Sequence, residues 1–249
     1  MKVALAVHRV TSDTDQNLSN MICMVSDASE ARCDLVLFPE AAPTGLINND
    51  DPTHDLPLGQ AIPGPTTEAL SDNARANGIY VASGVLERDG GRLYDSAVLI
   101  DPDGKMLLKY RRIQPQWHGR GADPAVYCQG TDLPKADTPF GSIAFLVCGD
   151  LFDDEILRRT GELRPDWVLF PFARCLNDGS FSQERWDNEE REEYVGRVRS
   201  LGISTLMTNY VADKSLQGGA FGGALAITGD GQVKSEQPLG RVGLLITNL

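Results

Sequence analysis

The sequence predicts an α/β fold, built on one mixed sheet or on two sheets, with helices on the outer faces. Three observations carry that expectation. Strand-like and helical patterns alternate at the start of the chain, three strands follow at hairpin spacing, and strand–helix alternation returns in the second half. The 249 residues show no linker and read as one domain over 1–249. A plain (β/α)8 barrel fits poorly, because the central hairpins leave no crossover helices.

The elements follow in order. VALAV (3–7) is a strand, a helical pattern runs near 16–31, and DLVLFPE (34–40) is a second strand that ends in Pro39 and Glu40. GPTTE (64–68) puts Pro65 and Thr67 where a helix start favours them, and Gly78 closes the 65–77 helix as its C-cap. IYVASGVLE (79–87), LYDSAVLID (93–101) and KMLLKYRRI (105–113) are joined by DGG and PDG turns, whose glycines supply the positive φ that tight hairpins need. A loop without period covers 114–139, a length that usually marks function or disorder. Then come a strand at 142–148, a helix near 153–161, the strand WVLFPFA (167–173) and a helix near 182–201. That last helix sets Trp186, Tyr194, Val198 and Leu201 on one face, and its EEREE run reads as a solvated surface. STLMTNYV (204–211), GALAITGDG (223–231) and VGLLI (242–246) complete the pattern.

Composition narrows the function. Hydrophobic residues make up 41% of the chain, enough for a sizeable core, and the net charge of -12 disfavours nucleic acid, whose phosphates need clustered Lys and Arg. Met1 and Lys2 lead straight into a strand and no apolar stretch approaches ~20 residues, so a cytoplasmic protein with no membrane partner is expected. Five cysteines are an odd number and none has CxxC or Cys/His zinc spacing, which makes structural disulfides and metal unexpected. The three histidines stand alone.

Three stretches carry chemistry. In SIAFLVCGDLFDDE (142–155), Cys148 ends an apolar strand before a glycine and a helix, a position beside unpaired N–H groups that suits a thiolate. The bland alternative is a small core residue. Glu40 ends DLVLFPE where α/β sheets present residues to a ligand crevice, and partial burial there would raise its pKa toward that of a general base; a surface acid is the competing reading. In KYRRI, alternation points Tyr110 and Arg112 to one face, Lys109 and Arg111 to the other, and an inward cation could stabilise an oxyanion, although exposed strand cations are the ordinary reading.

Taken in order, FPEAAPTG, KYRRI and TPFGSIAFLVCGDLFDDE resemble the nitrilase superfamily of carbon-nitrogen hydrolases, and LYDSAVLIDPDGK, WVLFPFA, MTN (207–209) and FGGALAITGDG extend the likeness over nearly the whole chain. The resemblance implies a four-layer α-β-β-α sandwich that pairs into homodimers or higher oligomers through a helical face. It implies no metal or organic cofactor. Its site is a Glu base, a Lys and a Cys nucleophile, often with a second, assisting Glu. By motif position Glu40 matches the base and Cys148 the nucleophile. Members that read KYRK are met here by KYRR, so Arg112 falls on the lysine position, and Asp123 in DPAVYCQG falls on the assisting acid. Arginine brings a wider planar fork than lysine's compact ammonium.

The implied reaction is cysteine-dependent hydrolysis of a C–N bond in a small amide or carbamoyl compound through a thioester. Arg174 could bind a substrate carboxylate or pair with neighbouring acids. Trp117 and Tyr127 could line the entrance or pin the long loop to the body. Two other classes stay open: a silent relative that binds a small acid or amide with Arg112 as clamp, and a structural subunit that assembles through helical faces.

Overall fold

The computed structural model describes residues 1–175, 182–216 and 219–249. From the N-terminus, β1 (Lys2–Val7) and the two-residue β2 (Arg9–Val10) precede α1 (Thr14–Glu30) and β3 (Leu35–Leu37). A short α2 (Pro52–Asp55) and α3 (Pro65–Asn77) lead into the antiparallel run β4 (Tyr80–Asp89), β5 (Arg92–Ile100) and β6 (Met106–Arg111). The second half holds β7 (Lys135–Thr138), β8 (Gly141–Phe145), a 3-10 turn over Cys148–Phe152, α4 (Asp154–Leu163) and β9 (Trp167–Pro171). It continues through α5 (Gln183–Arg185), a π-helical turn (Trp186–Glu190) and α6 (Arg191–Leu201) to β10 (Ser204–Thr208), β11 (Val211–Ala212), β12 (Ala224–Ile227), β13 (Val233–Gln237) and β14 (Gly243–Asn248).

Two six-stranded sheets result, ordered β14-β1-β3-β4-β5-β6 and β13-β12-β10-β9-β8-β7. Each has a parallel centre, β1–β3–β4 or β8–β9–β10, flanked by antiparallel strands. Both are therefore mixed sheets. Alternation along β1 shows how the layers form: Val3, Leu5 and Val7 join Leu37, Phe145 and Leu206 between the sheets, whereas Ala4 and Ala6 pack with Met21, Val25 and Leu70 of α1 and α3. On the far side, Val168, Phe170 and Met207 pack against Ile156, Val195 and Val198 of α4 and α6. The order is helices, sheet, sheet, helices. This is the four-layer α-β-β-α sandwich expected from the resemblance.

Local chemistry explains the helix ends. Asp13 caps α1 by accepting from Gln16 N, Asp153 caps α4 by accepting from Glu155 N and Ile156 N, and Gly78 closes α3 at φ 64°. Among the described residues no helix is long and apolar enough to cross a membrane.

Three expectations need correction. The cysteine strand stops at Phe145, and Cys148 opens the following turn because its φ of 45° cannot continue a strand. The helix expected near 182–201 is interrupted by a π-helical turn, and its charge run is not simply a solvated face: Glu190 is largely buried against Arg174, and Arg191 pairs with Glu236 of β13. The loop over 114–139 contains β7, a short edge strand whose alternating partly buried residues give little periodic signal.

Candidate active site

Three chain segments converge past the ends of β3, β6 and β8. Glu40 sits in the turn after β3 and is fully buried. That turn presses on β4: Ala42 N donates to Gly84 O, Gly84 N donates to Pro39 O, and a Cβ on Gly84 would stand 2.4 Å from Glu40 Cα. Only glycine permits this approach. His8 Nε2 meets Ala42 O at 2.9 Å and Asn17 Nδ2 donates to Pro43 O at 3.0 Å, which holds the turn from its other side. Burial holds His8 neutral, its pKa pushed down to about 4.

Arg112 follows β6 on the inward face. Its neighbours Lys109 and Arg111 point outward, both to Glu87, so the alternation expected of KYRRI holds. The Arg112 guanidinium is 2% exposed and donates from Nη1 to Glu40 Oε1 (2.9 Å) and Asp95 Oδ2 (3.2 Å), and from Nη2 to Gln114 Oε1 (2.9 Å). Burial opposes its charge, yet Cys148, Glu40, Asp95 and Asp150 together hold it protonated above its ordinary range. A charge so deeply buried persists only when paired.

Cys148 is partly exposed at the start of its 3-10 turn, with the non-glycine positive φ that marks a strained, position-specific backbone. Asp150 fastens this turn to the arginine segment. Its carboxylate accepts from Val147 N (2.9 Å), Ile113 N (3.2 Å), Gln114 N (2.8 Å) and Tyr110 Oη (2.7 Å), joining the two sheets at the site. Gly149 leaves room for the guanidinium: a Cβ there would lie 2.4 Å from Arg112 Nη2.

The electrostatics suit proton transfer. Burial is the main force lifting Glu40 to a pKa of about 8, and the nearby Cys148 adds to it while Arg112 pulls back. Asp95, also fully buried, is pushed well above the usual carboxylate range, first by burial and then by Glu40. Glu40 Oε2 and Asp95 Oδ1 have no donor. Cys148 and Arg112 face a pocket of about 360 Å³ whose outer wall includes Arg174, Glu190 and Tyr194.

Of the residues singled out in the sequence, Glu40, Arg112 and Cys148 are brought together and Arg174 lines the same pocket. Arg174 donates through Nε to Glu190 Oε2 at 2.9 Å, the pairing that competed with a substrate contact. Asp123 is not brought to the cluster. It is exposed, and its Oδ1 accepts from Ala125 N at 2.9 Å, capping its own turn. Tyr127 and Trp117 are buried with Leu86 and Leu93 instead of lining the pocket, and Tyr127 Oη donates to the buried Asp55 at 2.6 Å. They pin the long loop.

Asp95 and Asp150 are the members that sequence reasoning missed. Asp95 stands within a strand-like run in LYDSAVLID, where an acid is out of keeping with burial on both faces, and Asp150 follows the Cys-Gly pair directly. Those contexts were the available signals. Among the described residues no group of three or more His, Cys, Asp or Glu side chains is arranged to hold a metal ion.

Comparison with known proteins adds a family. The carbon-nitrogen hydrolase family model matches residues 2–249. A formamidase of Bacillus thuringiensis (strain Al Hakam) is 31% identical over 154 residues, 59% of this chain and 44% of that protein, so the matched region spans less than half of the curated relative. An amidase from Nesterenkonia sp. superposes with a TM-score of 0.83 at 22% identity, covering 100% of this chain and 90% of the other. A carbon-nitrogen hydrolase from Helicobacter pylori G27 gives 0.85 at 17% identity, covering 99% and 87%.

Proposed function

This chain belongs to the carbon-nitrogen hydrolase family, and on that premise we propose that it hydrolyses the C–N bond of a small amide or carbamoyl compound, with Cys148 as nucleophile. The observation that supports this reading best is the convergence of Glu40, Arg112 and Cys148 from segments 72 and 36 residues apart, with Arg112 and Cys148 lining one pocket and Glu40 buried behind Arg112.

Glu40 accepts the Cys148 proton, and the sulfur attacks the carbonyl carbon to form a C–S bond while the carbonyl electrons move to oxygen. Arg112, which lines the pocket beside Cys148, is assigned to hold that oxyanion, in the role expected of a lysine at this motif position. Collapse breaks the C–N bond, and the proton taken up by Glu40 leaves with ammonia or the amine. Water, deprotonated by the same carboxylate, then cleaves the thioester to the acid and restores the thiol. Asp123 is too exposed, and too occupied with its own turn, to assist.

The relatives named amidase and formamidase favour amides over nitriles. The pocket volume of about 360 Å³ admits a molecule larger than a one-carbon amide. Pairing into a homodimer through a helical face remains part of the proposal. An ammonia-release screen across small amides and carbamoyl compounds tests the reading. Release that is abolished in Cys148→Ala is expected. Release that survives that substitution, or a panel without turnover, would sink it.

A further inference from the structure

Asp95 and Glu40 both approach Arg112 Nη1, at 3.2 and 2.9 Å, so two carboxyl groups share one guanidinium nitrogen. Each is fully buried, and each keeps one oxygen without a donor. Asp150 is compensated by its own four donors, three of them backbone N–H groups, and for Glu40, Asp95 and Arg112 taken together charge counting limits the states that can be held. Two ionised carboxylates beside one guanidinium leave a buried net charge of minus one, and two protonated acids leave an uncompensated cation. One proton between the two acids leaves the group neutral and also supplies the donor that the orphaned oxygens lack.

We propose that Glu40 and Asp95 hold one proton in common, and that Asp95 is the positioning residue that keeps Glu40 able to take the Cys148 proton. This rests on the reading of Glu40 as the base. With the shared proton on Asp95, Glu40 is ionised and neutralises Arg112. When Cys148 then passes its proton to Glu40, the S–H bond breaks, an O–H bond forms, and the new thiolate replaces Glu40 as the negative partner of Arg112. The summed charge of Glu40, Asp95, Arg112 and Cys148 is the same before and after, so the transfer carries no net charge into a desolvated site.

The groups around the pair are few. Arg112 approaches from the end of β6 and Cys148 from the turn after β8, with Asp150 behind Arg112. Tyr210, after β10, faces Glu40 and keeps its proton because burial raises its pKa beyond the working range. His8 is the remaining titratable neighbour through Ala42, and it is neutral. None of these supplies the missing proton.

Infrared difference spectra of the full chain at neutral pH test the proposal without requiring turnover. Glu40→Gln and Asp95→Asn, taken separately, should each remove the same carboxylic-acid C=O band, because a single remaining carboxylate ionises against Arg112. A band that persists in either variant overturns the proposal, so each substitution is an independent test if the other does not fold. Failure of the hydrolase reading looks different: no ammonia release from the unsubstituted protein, with the band still present.

Discussion

Glu40 makes a strong charge-assisted bond to Arg112 and leaves its other oxygen free, so its substitution separates structure from chemistry. Glu40→Gln keeps the shape and removes the base. A rate loss of ~10²- to 10⁴-fold is expected in ammonia release. The pH dependence has a definite sign: the ionised form accepts the thiol proton, so the unsubstituted rate should rise with pH toward Glu40's raised pKa of about 8, and the variant should lose that rise. Arg112→Lys should lower kcat/KM by ~10-fold or more, because one ammonium cannot span Glu40, Asp95 and Gln114 as the fork does. At this scale the sequence showed the three residues that carry motif order and missed the ones that serve them. Asp95 acts only through partners that are distant in sequence, and no pattern of one strand reveals a carboxyl opposite it. Asp123 in DPAVYCQG matches the assisting acid by motif position alone, which carries no information about the turn its own carboxylate caps.

The turns, more than the strands, position the site, and they are where sequence periodicity has least to say. β1, β4 and β10 were legible because their buried runs are continuous, whereas the stop of β8 before Cys148 depends on a positive φ that no apolar pattern encodes. Asp150 accepts four hydrogen bonds that tie this turn to the arginine segment. Asp150→Ala would leave three backbone N–H groups without acceptors and should cost on the order of 3 kcal/mol or more in denaturant unfolding. Gly84→Ala sets a methyl group 2.4 Å from Glu40 Cα. It should destabilise by ~1–3 kcal/mol and reduce turnover together, since the backbone that moves is the one carrying the base.

The whole molecule stacks two sheets between two helical layers, and burying ionisable groups between them has a cost. Burial raises the pKa values of Glu40 and Asp95 in the folded state, so the pair keeps a proton that the unfolded chain has already released above ~4. Stability therefore falls as pH rises from ~4 through Glu40's value of about 8. Glu40→Gln should melt higher than the unsubstituted protein at pH 8, with the gap narrowing at pH 5, as read by calorimetry. The hairpin run β4–β6 was visible in the chain, the short strands β2, β7, β11 and β13 were not, and the four layers followed from family likeness. Which strands neighbour which was not visible, because β14 pairs with β1 across the full length of the chain.

Alkylation mapping tests the central claim most directly: a chloroacetamide pulse on the folded protein, with mass spectrometry of all five cysteines. The account predicts that Cys148 reacts fastest by a wide margin and that Glu40→Gln removes its advantage. Comparable rates at Cys148 and the exposed Cys23, unchanged in that variant, would contradict it.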